Sequence, residues 1–203
     1  MNAKKCQYVL FSKNKKANFE LKLKLFDELI PKSKSIKFLG VTLDSTMSFN
    51  KCVEDVTNKC QNRINIIKIL SHKSWKLSSN TLKKIYFSLV RSIIDYHSII
   101  YPILSASNQN RINSIQYKSL RIAFRKPIKT TNILLLQLAE TKSIKDRLDE
   151  LNCKYLENCY KNDNQLIQEL IEKYINWYPI NKESKYNTFL CYYRDTIMKL
   201  KKN

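Results

Sequence analysis

The sequence predicts an α+β fold that is mostly α: a small antiparallel β meander at the N-terminus followed by a helical bundle. Three observations carry this prediction. Alternation of apolar and polar residues with period two is confined to about the first 45 residues. From Asn50 onward, apolar residues recur at spacings of three and four instead. The one glycine in 203 residues, Gly40, sits between strand-like residues where the first pattern ends.

Taken in order, Gln7-Tyr8-Val9-Leu10-Phe11-Ser12 reads as a short buried strand, and Ser12-Lys13-Asn14-Lys15-Lys16 as a basic loop. Phe19, Leu21, Leu23 and Leu25 alternate with Glu20, Lys22 and Lys24, the pattern of a half-buried strand. Phe26-Asp27-Glu28-Leu29-Ile30-Pro31 turns the chain toward a third strand at 35–43. Three strands without a crossover helix form an antiparallel meander, which is marginal by itself. Around Gly40, Ile36, Phe38, Val41 and Leu43 favour strand. The alternation shifts across Leu39-Gly40, which predicts a tight bend with positive φ or a bulge.

The first helix is expected from Asn50, capped by Ser48 or Asn50, with Glu54 and Asp55 in its first turn. Val53, Val56, Cys60, Ile64, Ile67 and Leu70 form its apolar stripe, and Lys59, Arg63 and Lys68 lie off it. A second helix follows Ser78 or Ser79, with Leu82, Ile85, Tyr86, Leu89, Ile93 and Tyr96 facing inward and Lys83, Lys84 and Arg91 elsewhere. The third runs from about Ser107 to Arg125 and is stopped by Pro127. Opposite its Ile112, Ile115 and Ile122, a basic stripe of Arg111, Lys118 and Arg125 recurs every seven residues, with Arg121 a turn away. Ile133 to Leu138 is a short apolar helix or buried segment. Ser143 and Asp146 open a helix through Leu148, Leu151, Tyr155 and Cys159 as a capping box. Leu166, Ile167, Leu170, Ile171 and Tyr174 mark another, ended by Trp177-Tyr178-Pro179. A last amphipathic segment, 189–200, leads into Lys201-Lys202-Asn203.

Charge distinguishes these regions. The net charge is +20, and base-composition bias toward Lys alone would spread it evenly. It is not even. Between residues 56 and 139 the only carboxylate is Asp95, against fourteen Lys or Arg, while residues 1–55 carry net +5 and 140–203 net +2. A segment of one sign repels itself unless a polyanion compensates it, so nucleic acid is the partner the charge predicts. A membrane surface fits less well, because no helix has a broad Trp/Phe/Leu face.

Other classes are excluded or disfavoured. The longest apolar run is far short of the roughly 20 residues of a membrane span. Without an apolar leader the expectation is an intracellular protein whose six cysteines are thiols. No CxxC occurs, and neither His72 nor His97 has zinc spacing to a cysteine pair, so no metal site is predicted. The adjacent acidic pairs Asp27-Glu28, Glu54-Asp55 and Asp149-Glu150 read as turn, cap and mid-helix residues. No nucleophile triad or phosphate-cradling glycine loop is present, so no catalytic residue is assigned.

Phe38-Leu39-Gly40-Val41-Thr42-Leu43-Asp44 resembles the segment closing the palm of reverse transcriptases from non-LTR retrotransposons of the jockey or LINE type. The resemblance continues in register through Phe49, Trp75-Lys76-Leu77-Ser78, Leu89-Val90-Arg91-Ser92-Ile93-Ile94-Asp95-Tyr96 and Ile115-Gln116-Tyr117-Lys118-Ser119-Leu120-Arg121-Ile122, covering about residues 1–150. It implies three parts: the end of a palm at 1–47, a basic helical thumb at 48–130, and a helical connection at 131–203.

The resemblance also implies roles. Phe38, Leu39, Gly40 and Val41 would be the primer grip. Lys59, Arg63, Lys68, Arg91, Arg111, Lys118, Arg121 and Arg125 would contact phosphates of template RNA and primer DNA. Asn2 and Lys5 resemble an Asn-x-x-Lys motif whose lysine is discussed as a proton donor, although Lys5 also reads as a surface lysine. Trp75 reads as core, with a base-stacking platform as its alternative. The catalytic aspartates and their Mg belong to fingers and palm outside this chain, which itself is expected to hold no cofactor and no small-molecule substrate. Two other classes are open to the sequence alone: a basic helical nucleic-acid-binding module unrelated to polymerases, and an interaction domain for an acidic partner.

Overall fold

The computed structural model describes residues 6–12, 20–161, 165–177 and 188–200, residues 175–177 by their backbone alone. Lys5, the basic loop at 13–16, Phe19, the Tyr178-Pro179 stop and the tail at 201–203 lie outside the described residues. The fold is α+β and mostly α, as the periodicities predict. The chain divides into two compact units, Met1–Asn62 and Arg63–Asn203, the boundary falling inside the helix Asn50–Leu70.

In the first unit the strands pair as two antiparallel hairpins. β1 (Lys24–Leu25) pairs with β2 (Glu28–Leu29), and β3 (Ser35–Phe38) with β4 (Val41–Asp44). Residues 7–12 form no strand. Tyr8 makes a single parallel bridge to Lys32, and Ser12 N–H donates to Ser45 C=O at 2.9 Å. Because this segment divides its backbone bonds between two neighbours, it builds no ladder.

The β3–β4 register sets Phe38 opposite Val41, leaving Leu39-Gly40 as a two-residue loop with φ of 45° and 83°. Positive φ at both central residues is the type I′ geometry that suits the twist of a hairpin. Glycine meets this need at the second position. Leu39 meets it at a steric cost of about 1–2 kcal/mol.

The link from β4 to helix α1 (Asn50–Leu70) winds around one carboxylate. Asp44 Oδ1 accepts from Thr46 N–H, Thr46 Oγ1 and Ser48 N–H, and Oδ2 from Ser48 Oγ and from Phe49 N–H at 2.7 Å. Met47 and Phe49 are held at positive φ inside this loop. Partial burial raises the Asp44 pKa, but these hydrogen bonds outweigh it and leave the carboxyl more acidic than usual. Glu54 and Asp55 lie beyond the first turn, where a cap was expected; Asp55 instead accepts from Thr42 Oγ1 at 2.7 Å. Asp44 is the anion at the start of α1, reached from the preceding strand.

In the second unit, α1 ends at Leu70 and a 3₁₀ turn spans Lys73–Trp75. Helix α2 (Ser79–Tyr86) passes through a π-helical turn, Phe87–Arg91, into α3 (Ser92–Tyr96). The π turn corrects the sequence reading. Strict α-helical spacing put Leu89, Ile93 and Tyr96 inside, but the buried series is Leu82, Tyr86, Val90 and Ile94, and Tyr96 is exposed. Residues four apart drift about 40° around an α-helix, and the wider turn takes up part of that drift.

A 3₁₀ segment, Ser98–Ile103, leads to α4 (Ala106–Ala123), followed by α5 (Asn132–Ala139) and α6 (Ile144–Lys161). Gln116, fully buried, donates to Lys142 C=O and accepts from Ile144 N–H, both at 3.0 Å. It thereby satisfies backbone groups at the start of α6 that would otherwise be orphaned. Ser143 and Asp146 form the expected capping pair. Beyond them α7 (Gln165–Trp177), α8 (Phe189–Tyr192) and α9 (Arg194–Leu200) close a second cluster around Leu156, Ile171, Tyr193 and Ile197.

Candidate nucleic-acid interface

Five of the cations in the carboxylate-poor segment meet around one cleft. Its volume is about 540 Å³, and it is lined by Lys68 and Ser71 at the end of α1 and by Lys118, Arg121, Ile122, Arg125, Lys126 and Ile128 from α4 and the turn after it. No carboxylate is among these described residues. Two helices converge here because their apolar stripes, Ile64 and Ile67 on α1 and Ile112, Ile115 and Leu120 on α4, are buried and leave the lysines outward.

The arginines are fixed by main-chain carbonyls. Arg121 Nη2 donates to Thr130 C=O at 3.1 Å and Asn132 Oδ1 at 2.9 Å. Arg125 was expected inside the helix, but α4 ends at Ala123 and Arg125 follows the cap with φ of 50°. Its N–H bonds Ile122 C=O, and Lys126 N–H bonds Arg121 C=O at 2.8 Å. This pair of bonds is the Schellman ending, in which glycine usually takes the left-handed position. The arginine there gains a different contact: Nε donates to Ser71 C=O and Nη2 to Leu77 C=O, both at 3.0 Å. Those bonds use two of five guanidinium donors and none of the charge. The turn also swings Lys126 into the cleft, a residue the stripe did not include.

The remaining candidates divide. Lys59 is exposed on α1 but belongs to the first unit; Arg63 and Arg111 are exposed in the second and do not line the cleft. Arg91 does not face solvent. It is 3% exposed, and its Nε donates to Asp95 Oδ1 at 3.0 Å. Arg147 lies 3.6 Å from the other oxygen of Asp95. The π turn carries Arg91 inward beside Val90, and an arginine so buried needs a carboxylate. The single acid of the basic segment is therefore consumed inside the fold and offsets nothing on the cleft.

In the first unit, the candidate site is the hairpin tip. Phe38 and Leu39 are 62% and 74% exposed, and Gly40 and Val41 complete the turn and begin β4. An apolar pair held outward by a strained turn is unusual at a loop that any polar residue could serve.

Several carboxylates of the described residues are already engaged within the fold. Asp55 is bonded to Thr42, Asp149 accepts from Tyr193 Oη at 2.8 Å, and Glu150 is held by Lys142 at 3.0 Å. Among the described residues no group of three or more His, Cys, Asp or Glu is arranged to hold a metal ion. The six cysteines are thiols, and burial pushes that of Cys60 up to about 12. Among the described residues no helix is long and apolar enough to cross a membrane.

Three known proteins align with most of the chain. The RNA-directed DNA polymerase from mobile element jockey of Drosophila melanogaster is 25% identical over 170 residues, 84% of this chain. Its counterpart in Drosophila funebris is 28% identical over 70% of the chain. A probable RNA-directed DNA polymerase from transposon BS of Drosophila melanogaster is 22% identical over 66%. The chain spans only 15–18% of the length of these relatives. No protein-family model matches it, and no solved structure does. Over most of its length, then, the chain is similar in sequence to RNA-directed DNA polymerases of mobile elements.

Proposed function

We propose that this chain binds and positions template–primer nucleic acid as part of a retrotransposon RNA-directed DNA polymerase, contributing no catalytic aspartate. The observation that carries the reading is the cleft where Lys68, Lys118, Arg121, Arg125 and Lys126 converge with no carboxylate among them. Such a cluster gains most from a strand of phosphates, and A-form RNA-containing duplexes are recognised through backbone and shape. In the same unit Arg63 and Arg111 add further phosphate contacts, and Lys59 offers one on the first unit; Arg91 is left out, because it is committed to Asp95. The Phe38-Leu39-Gly40-Val41 tip presses on the primer end through apolar and main-chain contacts. Magnesium and its carboxylates come from the remainder of the polymerase, as do the fingers and most of the palm.

The test is competition. Labelled RNA–DNA duplex bound to the chain is challenged with unlabelled duplex and with heparin of matched charge. Preferential displacement by duplex supports the reading. Equal displacement by heparin marks the surface as a general polyanion site for an acidic partner and overturns it.

A further inference from the structure

Beside the phosphate cleft lies a second one of about 600 Å³, lined by Asn65, Lys68, Ile69, His72 and Trp75. Lys68 belongs to both. We infer that this second cleft receives an unpaired nucleobase, stacked on Trp75, where a nucleic-acid strand leaves the paired region held next door. The inference rests on the proposed nucleic-acid function and adds to it a preference for single-strand/duplex junctions.

Four observations converge on this. Trp75 is not core: its side chain is 56% exposed, on a surface where a tryptophan is costly to leave in water. The ring is carried on a fixed turn. His72 caps it by accepting from Ser74 N–H through Nδ1 at 3.3 Å, Trp75 N–H bonds His72 C=O at 3.1 Å, and Lys76 closes it with φ of 50°. The neighbouring side chains suit a base: Ile69, 62% exposed, offers an apolar wall, and Asn65 and His72 offer polar edges. The volume is in the range of pockets that hold small organic ligands. Lastly, the charge is right. Lys68 lies between the clefts, Lys73 and Lys76 flank the indole in sequence, and no carboxylate lines the site among the described residues. A flat aromatic surface bordered by cations is how proteins hold single-stranded nucleic acid. An apolar protein partner would give no reason for Lys68 in the lining or for Lys73 and Lys76 on either side of the indole in sequence.

The test compares binding of the full chain to a blunt RNA–DNA duplex and to the same duplex with a short unpaired template overhang. Trp75→Ala should weaken overhang binding by about 5- to 150-fold and leave blunt-duplex binding unchanged, since stacking on one aromatic ring has that value. Trp75→Phe should keep most of it. A second readout uses Trp177→Phe, in which Trp75 is the only tryptophan: the overhang should quench its emission and the blunt duplex should not. Equal affinity for both duplexes, an unchanged Trp75→Ala, or no quenching overturns the inference and leaves the phosphate cleft standing. Failure of the wild-type chain to bind either duplex overturns the proposed function as well.

Discussion

Two stretches of the second unit are built alike and used differently. Residues 63–139 and residues 140–200 are both mostly helical, and both bury aliphatic and tyrosine side chains. In the later stretch the polar groups are spent on one another. Tyr193 Oη donates to Asp149 and accepts from Asn152 Nδ2, Glu150 is held between Lys142 and Arg147, and Asn152 Nδ2 also donates to Ser98 C=O. Burial and the Asp149 carboxylate push the Tyr193 hydroxyl pKa well up, against the opposing hydrogen bond from Asn152. In the earlier stretch the one acid turns inward, and Arg121 and Arg125 of the cleft donate to carbonyl oxygens. The difference teaches that net charge alone does not mark a binding surface. What marks it is where the counter-charges have gone.

The comparison breaks most easily at the cleft. Lys68→Glu with Lys118→Glu should lower RNA–DNA duplex affinity at least about tenfold and reduce the slope of log K against log salt by about two. Lys145→Glu with Lys154→Glu, an equal charge change on α6, should leave affinity nearly unchanged by anisotropy. If both pairs act alike, only total charge matters and the distinction drawn here is wrong.

The interior acid gives the next effect. Asp95→Asn removes the counter-charge of a buried guanidinium and should cost about 3 kcal/mol in urea unfolding. Asp146→Asn, at an exposed cap, should cost no more than about 1 kcal/mol.

At the hairpin, Leu39→Asn supplies the residue type a I′ turn prefers and should stabilise the chain by about 1 kcal/mol. In a reconstituted polymerase the same change should impair extension from the primer end, because the more exposed half of the apolar pair is gone. Greater stability with unimpaired extension would remove the primer-end role from the tip. Lys76→Gly, at another left-handed position, should likewise raise stability by up to about 1 kcal/mol without touching the hairpin.

The smallest effect is pH-dependent and lies in the first unit. The native Asp44 pKa is depressed, so its contribution is complete above the ordinary value of about 3.9 and is lost as pH falls through the native value. Asp44→Asn should therefore destabilise the chain at neutral pH, and the gap from wild type should close in acid. A gap constant down to low pH would mean the carboxylate charge is irrelevant to the loop.

Much of this was legible in the sequence. The α1 stripe, the body of α4, the Ser143 cap and the bend at Gly40 all followed from spacing and turn chemistry. What was hidden has one main physical source. With a single glycine, the chain ends helices and closes turns on residues such as Arg125, Glu140, Lys76 and Leu39 at positive φ, and none of these signals a left-handed position. That concealed the swing that brings Lys126 into the cleft and the exposure of Trp75. A π turn leaves no periodic signature either, so Arg91 read as a surface cation. The short 7–12 segment had the composition of a strand, but pairing depends on neighbours that composition does not show.

The account stands or falls on a phosphate surface, and its salt dependence is the direct measurement. Binding of the wild-type chain to a primed RNA–DNA duplex should weaken by roughly three decades between about 50 and 200 mM salt, as expected if about six phosphates are neutralised. An affinity that hardly changes across that range would contradict it.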